Sequence, residues 1–110
     1  MAAHYSAAAN EFPIPVKSAL GISKVAFAPD PNRRLLAVST WDGFVRVYDV
    51  ANPHTPIDVR TYMHSKSVLC CTFVDTSKLV SGGLDEVVKV CDLESARGRY
   101  LVWEGVGGGF

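Results

Sequence analysis

A chain of 110 residues with 11 basic and 11 acidic side chains has no net charge, which excludes a protein built mainly to coat phosphate backbones, since such domains are visibly basic. At 48% hydrophobic and 20% charged residues the composition is globular rather than disordered. The longest uninterrupted apolar run is four residues, against roughly 20 for a membrane-crossing helix. The first ten residues also lack the basic start and apolar stretch of a secretion signal. A cytosolic or nuclear protein is therefore expected, with Cys70, Cys71 and Cys91 as reduced thiols.

Residues 1–20 are alanine-rich and are expected to form a flexible lead-in. Pro13 and Pro15 break any helix there, and Phe12 to Val16 suits an extended edge strand, because proline cannot donate within the centre of a sheet. From Gly21 onward, short β-type runs follow one another between turn residues. Residues 23–28 are the first run, ended by the turn cluster Pro29, Asp30, Pro31, Asn32. Residues 35–40 are the second, and Asp42 with Gly43 signals a hairpin into the third, residues 44–49. There Val45 and Val47 share one face, with Arg46 and Tyr48 on the other. A loop with two prolines, residues 52–56, precedes the fourth run, residues 57–62. The pattern then restarts with residues 68–73, 79–82, 87–91 and 99–103. No stretch carries a helical period of useful length.

The restart is an internal repeat. Asp42 and Asp85 are 43 residues apart, and the match continues through Val45/Val88, Arg46/Lys89, Val47/Val90 and Asp49/Asp92. Phe27 and Phe73 are 46 apart, the three-residue difference falling in the turn at residues 29–32, where insertions are cheap. A period in the low forties with four strands per unit is that of a propeller blade. The expected fold class is therefore all-β: two four-stranded antiparallel blades, residues 21–63 and 64–103, followed by a glycine-rich tail, residues 104–110. A closed ring needs at least four blades, or about 160 residues. The chain is accordingly expected to be an incomplete part of a propeller, and a truncated product with no independent activity is one reading of it.

These residues resemble the WD-repeat family. Each unit ends on a residue followed by Asp, Tyr48-Asp49 and Cys91-Asp92, in place of the Trp-Asp that names the family. His64 stands where the family has its Gly-His pair, with Met63 in place of the glycine. The resemblance implies a buried blade network, to which His64, Ser81 and Asp85 correspond, with Asp42 as the first unit's counterpart of Asp85. Cys91 takes the network's Trp position, so the network is expected to be incomplete.

Asn10-Glu-Phe12, the run from Gly21 to Val25, Ser39-Thr-Trp-Asp42, the run from Val45 to Asp49 and Ser81-Gly-Gly-Leu-Asp85 resemble the spindle-checkpoint members of that family. The resemblance implies a seven-bladed, non-enzymatic scaffold without cofactor. Its partners would be short peptide motifs of checkpoint kinases and a phosphorylated kinetochore scaffold, in the nucleus and at kinetochores with a cytoplasmic pool. Trp41, and Leu84 at the matching place in the second unit, would be the partner-binding residues. The sister family of mRNA-export WD proteins at the nuclear pore implies an adaptor instead.

Other chemistries are weaker. Asp42 and Asp85 as an acid–base pair compete with simple turn capping, which their place in hairpins favours. A zinc site from Cys70, Cys71, Cys91 and His64 is disfavoured, because adjacent strand residues face opposite sides and no Cys-x-x-Cys occurs. The glycines at residues 105–109 lack the Lys-Ser/Thr of a phosphate loop. Neither a membrane nor a nucleic-acid partner is expected.

Overall fold

The computed structural model describes residues 11–94 and 100–104, the last five as backbone only. The first ten residues and the tail from residue 105 lie outside the described residues. Eight strands follow in chain order: β1 (Ile22–Phe27), β2 (Leu35–Thr40), β3 (Phe44–Asp49), β4 (Ile57–Met63), β5 (Val68–Phe73), β6 (Lys78–Gly83), β7 (Val87–Asp92) and β8 (Tyr100–Glu104). They form two four-stranded antiparallel meanders, β1-β2-β3-β4 and β5-β6-β7-β8. This is the two-blade, all-β architecture that the repeat predicts.

Both units turn between their second and third strands in the same way. Gly43 N–H reaches Thr40 C=O at 3.2 Å, and Glu86 N–H reaches Gly83 C=O at 3.2 Å. The third loop residue is left-handed in each, Gly43 at φ 96° and Glu86 at φ 63°. That is a three-residue hairpin loop, a type I turn closed by a left-handed residue. Gly43 suits it, whereas Glu86 adopts a backbone conformation costly for a residue with a Cβ.

The repeat persists in the hydrogen bonds. Trp41 N–H donates to Gly21 C=O, and Leu84 N–H to Ser67 C=O, both at 2.9 Å. Val50 N–H meets Arg34 C=O at 2.8 Å, as Leu93 N–H meets Ser77 C=O at 2.7 Å. The first strand of each unit carries an irregularity at the same point, Ile22/Lys24 and Val68/Cys70.

The core lies between the two sheets. Leu35, Ala37, Val45, Val47 and Tyr62 of the first blade pack with Val68, Cys71, Leu79, Cys91 and Leu93 around the second. A fully buried Val or Leu contributes about 1.5–3 kcal/mol. The cluster spans both sheets, with β5 set against β1 and β2, so the two sheets stabilise each other as stacked repeats do. Burial raises the Cys71 and Cys91 thiols above their ordinary range, which keeps them protonated and poor nucleophiles.

Residues 11–18 form no strand, which corrects the expected edge strand at Phe12 to Val16. Two prolines leave few N–H groups for a ladder. The segment instead crosses the outer face of the first blade. Arg46 Nε donates to Lys17 C=O at 3.3 Å, and the Phe12 ring meets His54 edge-on at 4.6 Å. Lys89, the counterpart of Arg46, donates in the same way to Met63 C=O at 2.6 Å. Residues 11–17 thus stand on the first blade where β4 stands on the second.

Candidate functional site

One rim of the sheets gathers the two hairpin loops, residues 41–43 and 84–86, with the lead-in segments 18–21 and 64–67. Ser67 joins them: its hydroxyl donates to Trp41 C=O, and its own carbonyl accepts Leu84 N–H. Gly43 C=O accepts His64 N–H at 2.8 Å across the blade boundary. A Cβ on Gly43 would come within 3.0 Å of the His64 and Lys66 carbonyls. The two blades therefore meet at this rim backbone to backbone.

Trp41 is 41% exposed and Leu84 54% exposed on the rim. Leu20, which leads into β1, is also exposed beside them, while its counterpart in the second unit is Lys66. Sequence reasoning missed Leu20 because the repeat places a charged residue at the matching position. Exposed apolar side chains held on a hydrogen-bonded backbone are suited to contacting another protein at low entropic cost.

Beneath the rim lies a buried polar network. His64 Nδ1 lies 3.2 Å from both Asp85 carboxylate oxygens, and His64 Nε2 lies 2.9 Å from Ser81 Oγ. Ser81 Oγ lies 2.8 Å from the Tyr62 hydroxyl. One donor direction satisfies the whole chain: Tyr62 O–H to Ser81, Ser81 O–H to His64 Nε2, and His64 Nδ1–H to Asp85. Asp85 also accepts N–H bonds from Ser65 at 3.1 Å and Val87 at 3.2 Å. The network expected to be incomplete has a fourth member, Tyr62, supplied by the outer strand of the preceding blade. The signal for it was faint: Tyr62 is the one buried side chain of β4.

Ser, His and Asp in this order also describe a hydrolytic relay. Here Ser81 and His64 are both buried, and the Ser81 oxygen already receives Tyr62, so no substrate carbonyl reaches it. The arrangement fastens the hairpin loop to the blade boundary.

Asp42 does not join this network. It accepts from the Thr40 hydroxyl and from Ala19 N–H, the latter at 3.1 Å. The difference lies one residue away. Gly83 has no room for a side chain, since a Cβ would lie 2.8 Å from Asp85 Oδ1, 2.9 Å from Ser67 O and 3.1 Å from His64 Nδ1. In the first unit Thr40 occupies the matching position, Ser18 matches His64 and Val38 matches Ser81. The Thr40 hydroxyl does locally what His64 does from afar.

Burial opposes the charge on Asp85, but the bonds from His64, Ser65 and Val87 outweigh it and hold its carboxyl below the ordinary value of 3.8. Asp42 is held low by the Thr40 hydroxyl first and the Ala19 N–H next. A carboxylate depressed on folding stabilises fully above its unfolded value and loses that contribution as pH falls through its folded value. Thermal midpoints should therefore drop as pH is lowered below about 4, and the drop should be shallower in Asp85→Asn. An identical acid slope in the variant would show that Asp85 carries none of it.

The chain matches the family model described as "WD domain, G-beta repeat" over residues 17–49 and 57–92. It belongs to the WD40-repeat family. Each WD40 match begins on the segment that lies against the following blade, at Lys17 and at Ile57. Tyr62 thus belongs by sequence to the second WD40 unit and by sheet pairing to the first blade. Among curated proteins the chain is 41% identical over 100 residues to the mitotic checkpoint protein bub-3 of Caenorhabditis elegans, covering 91% of this chain and 29% of that protein. It is 34% identical over 81 residues to a poly(A)+ RNA export protein of Schizosaccharomyces pombe, 73% of this chain and 22% of the other. An mRNA export factor of Chaetomium thermophilum is 37% identical over 83 residues, again 73% of this chain and 23% of that protein. The WD40 chain thus spans less than a third of the length of these relatives.

Proposed function

We infer that this chain forms two blades of a checkpoint-type, seven-bladed WD40 propeller, a non-enzymatic scaffold that recruits mitotic checkpoint kinases to kinetochores. The exposed apolar rim of Leu20, Trp41 and Leu84 carries the reading, because it offers a rigid anchor for a short peptide. The similarity to bub-3 over most of the chain supports the checkpoint assignment. In this reading the protein works in the nucleus and at kinetochores, with a cytoplasmic pool. It takes peptide motifs of the kinases and a phosphorylated kinetochore scaffold as partners.

The similarity to two RNA-export proteins favours a second reading, an adaptor at the nuclear pore. Fluorescence anisotropy with labelled peptides from mitotic checkpoint kinases and from nucleoporins distinguishes the two. Kinase peptides are expected to bind, and Trp41→Ala is expected to weaken them about 30-fold, the loss of a hot-spot aromatic worth about 2 kcal/mol. Binding of nucleoporin peptides alone would replace the checkpoint reading with the adaptor. Kinase-peptide binding indifferent to Trp41 would move the contact off this rim.

A further inference from the structure

One residue ties the two hairpin loops of the rim to each other. The repeat sets Ser67 at the position of Gly21, 46 residues earlier. The two carbonyls do the same work: Gly21 C=O accepts Trp41 N–H, and Ser67 C=O accepts Leu84 N–H, both at 2.9 Å. The side chains do not. Gly21 has none, whereas the Ser67 hydroxyl reaches back across the blade boundary and donates to Trp41 C=O. Ser67 therefore touches the loop of its own blade with one atom and the loop of the preceding blade with another.

Trp41 is thereby held from both sides. Its N–H is bonded within the first blade and its C=O to the second. Its ring lies over Gly21, with Cδ1 3.7 Å from where a Cβ would stand. Two residues on, Gly43 runs so close to the His64 and Lys66 carbonyls that a Cβ would come within 3.0 Å of each. The backbone that carries the exposed Trp41 side chain is thus set by the segment leading into β5. These bonds lie at the boundary between the two blades, away from the outer faces of the pair.

We propose, resting on the peptide-binding reading of this rim, that Ser67 is its positioning residue: it sets Trp41 of one blade against Leu84 of the next, so that the two form a single bipartite site. The partner that fits is a peptide seating two apolar side chains at once across the blade boundary. Two anchors already fixed in register need no ordering when the peptide arrives. Once the first side chain is seated, the second binds as an intramolecular step. Without the Ser67 hydroxyl, Trp41 C=O loses its partner in the second blade, and the peptide must order the loop as it binds.

Fluorescence anisotropy on the full 110-residue chain tests this, with the labelled checkpoint-kinase peptide or, where that one binds instead, the nucleoporin peptide. Ser67→Ala is expected to weaken binding about five-fold, the worth of one neutral hydrogen bond. Ser67→Thr keeps the hydroxyl and should restore the affinity. In a Trp41→Ala background, Ser67→Ala should have no further effect, because it acts through Trp41. Trp41→Ala and Leu84→Ala should be non-additive, and additive losses would mean two separate contacts rather than one site. Undiminished affinity in Ser67→Ala overturns the proposal. So does an equal loss with and without Trp41, which would mean direct contact with the peptide or a general loosening of the fold. Acrylamide quenching of Trp41 in a Trp103→Phe background, which leaves one tryptophan, reads the same role without any peptide. Ser67→Ala should raise that quenching, and Ser67→Thr should leave it unchanged. If neither peptide binds, the peptide-binding reading fails, and quenching alone decides the positioning: a value unchanged in Ser67→Ala overturns it.

Discussion

Gly83→Ala is expected to lower stability by about 3 kcal/mol or more, while Gly82→Ala, one residue away, is neutral or slightly stabilising. The added methyl at position 83 meets the Asp85 carboxylate, the Ser67 carbonyl and the His64 ring at 3.1 Å or closer. Two of those atoms belong to the buried network, and the third holds Leu84 N–H. None can retreat without losing a hydrogen bond. Overpacking costs about 1–3 kcal/mol, and a displaced buried partner adds about 1–3 more. At position 82 no atom lies within 4 Å of the new methyl. Urea denaturation of the two variants measures the contrast directly, and equal midpoints would show that the loop yields without cost.

His64→Ala is the second large effect, an expected loss of about 3 kcal/mol. It empties a buried site and strips Asp85 of its ring donor and Ser81 of its acceptor. Asp85 keeps the Ser65 and Val87 N–H bonds, which places the loss at the low end of the range for breaking a buried pair. Tyr62→Phe removes only the terminal hydroxyl and should cost about 1 kcal/mol. The double variant should lose less than the sum, because both side chains act through the Ser81 hydroxyl. Strict additivity in a double-mutant cycle would show that Tyr62 and His64 are not members of one network.

These two effects fall on residues that differ in how visible they were beforehand. His64, Ser81 and Asp85 were legible because each occupies a fixed offset from a turn or a strand. Gly83 was read only as part of a motif. Its need for an absent side chain follows from where His64 arrives, 19 residues earlier in the chain. Tyr62 was read only as the end of a strand. Its hydroxyl crosses from the first sheet to the second, and no spacing rule within one blade reports such a crossing. The edge strand expected at Phe12 to Val16 failed for a related reason. The extended conformation was right for a segment with two prolines, but which surface it meets depends on the blade beside it.

The repeat, the hairpins and the alternation of Val45 and Val47 with Arg46 and Tyr48 are local properties, and the sequence by itself determined them. Side chains at period two must face opposite sides, and Gly43 marks the first hairpin turn, whereas the left-handed Glu86 of the second was visible only in the structure. From these came the eight strands, their order and the two-blade architecture. The tertiary structure decided everything that passes between the blades. It placed Tyr62 in the second blade's network, required a glycine at position 83, set residues 11–17 on the first blade where β4 stands on the second, and left equivalent valines buried on one blade and open on the other. Two faces with the same pattern differ only in whether a neighbour covers them, and packing alone settles that.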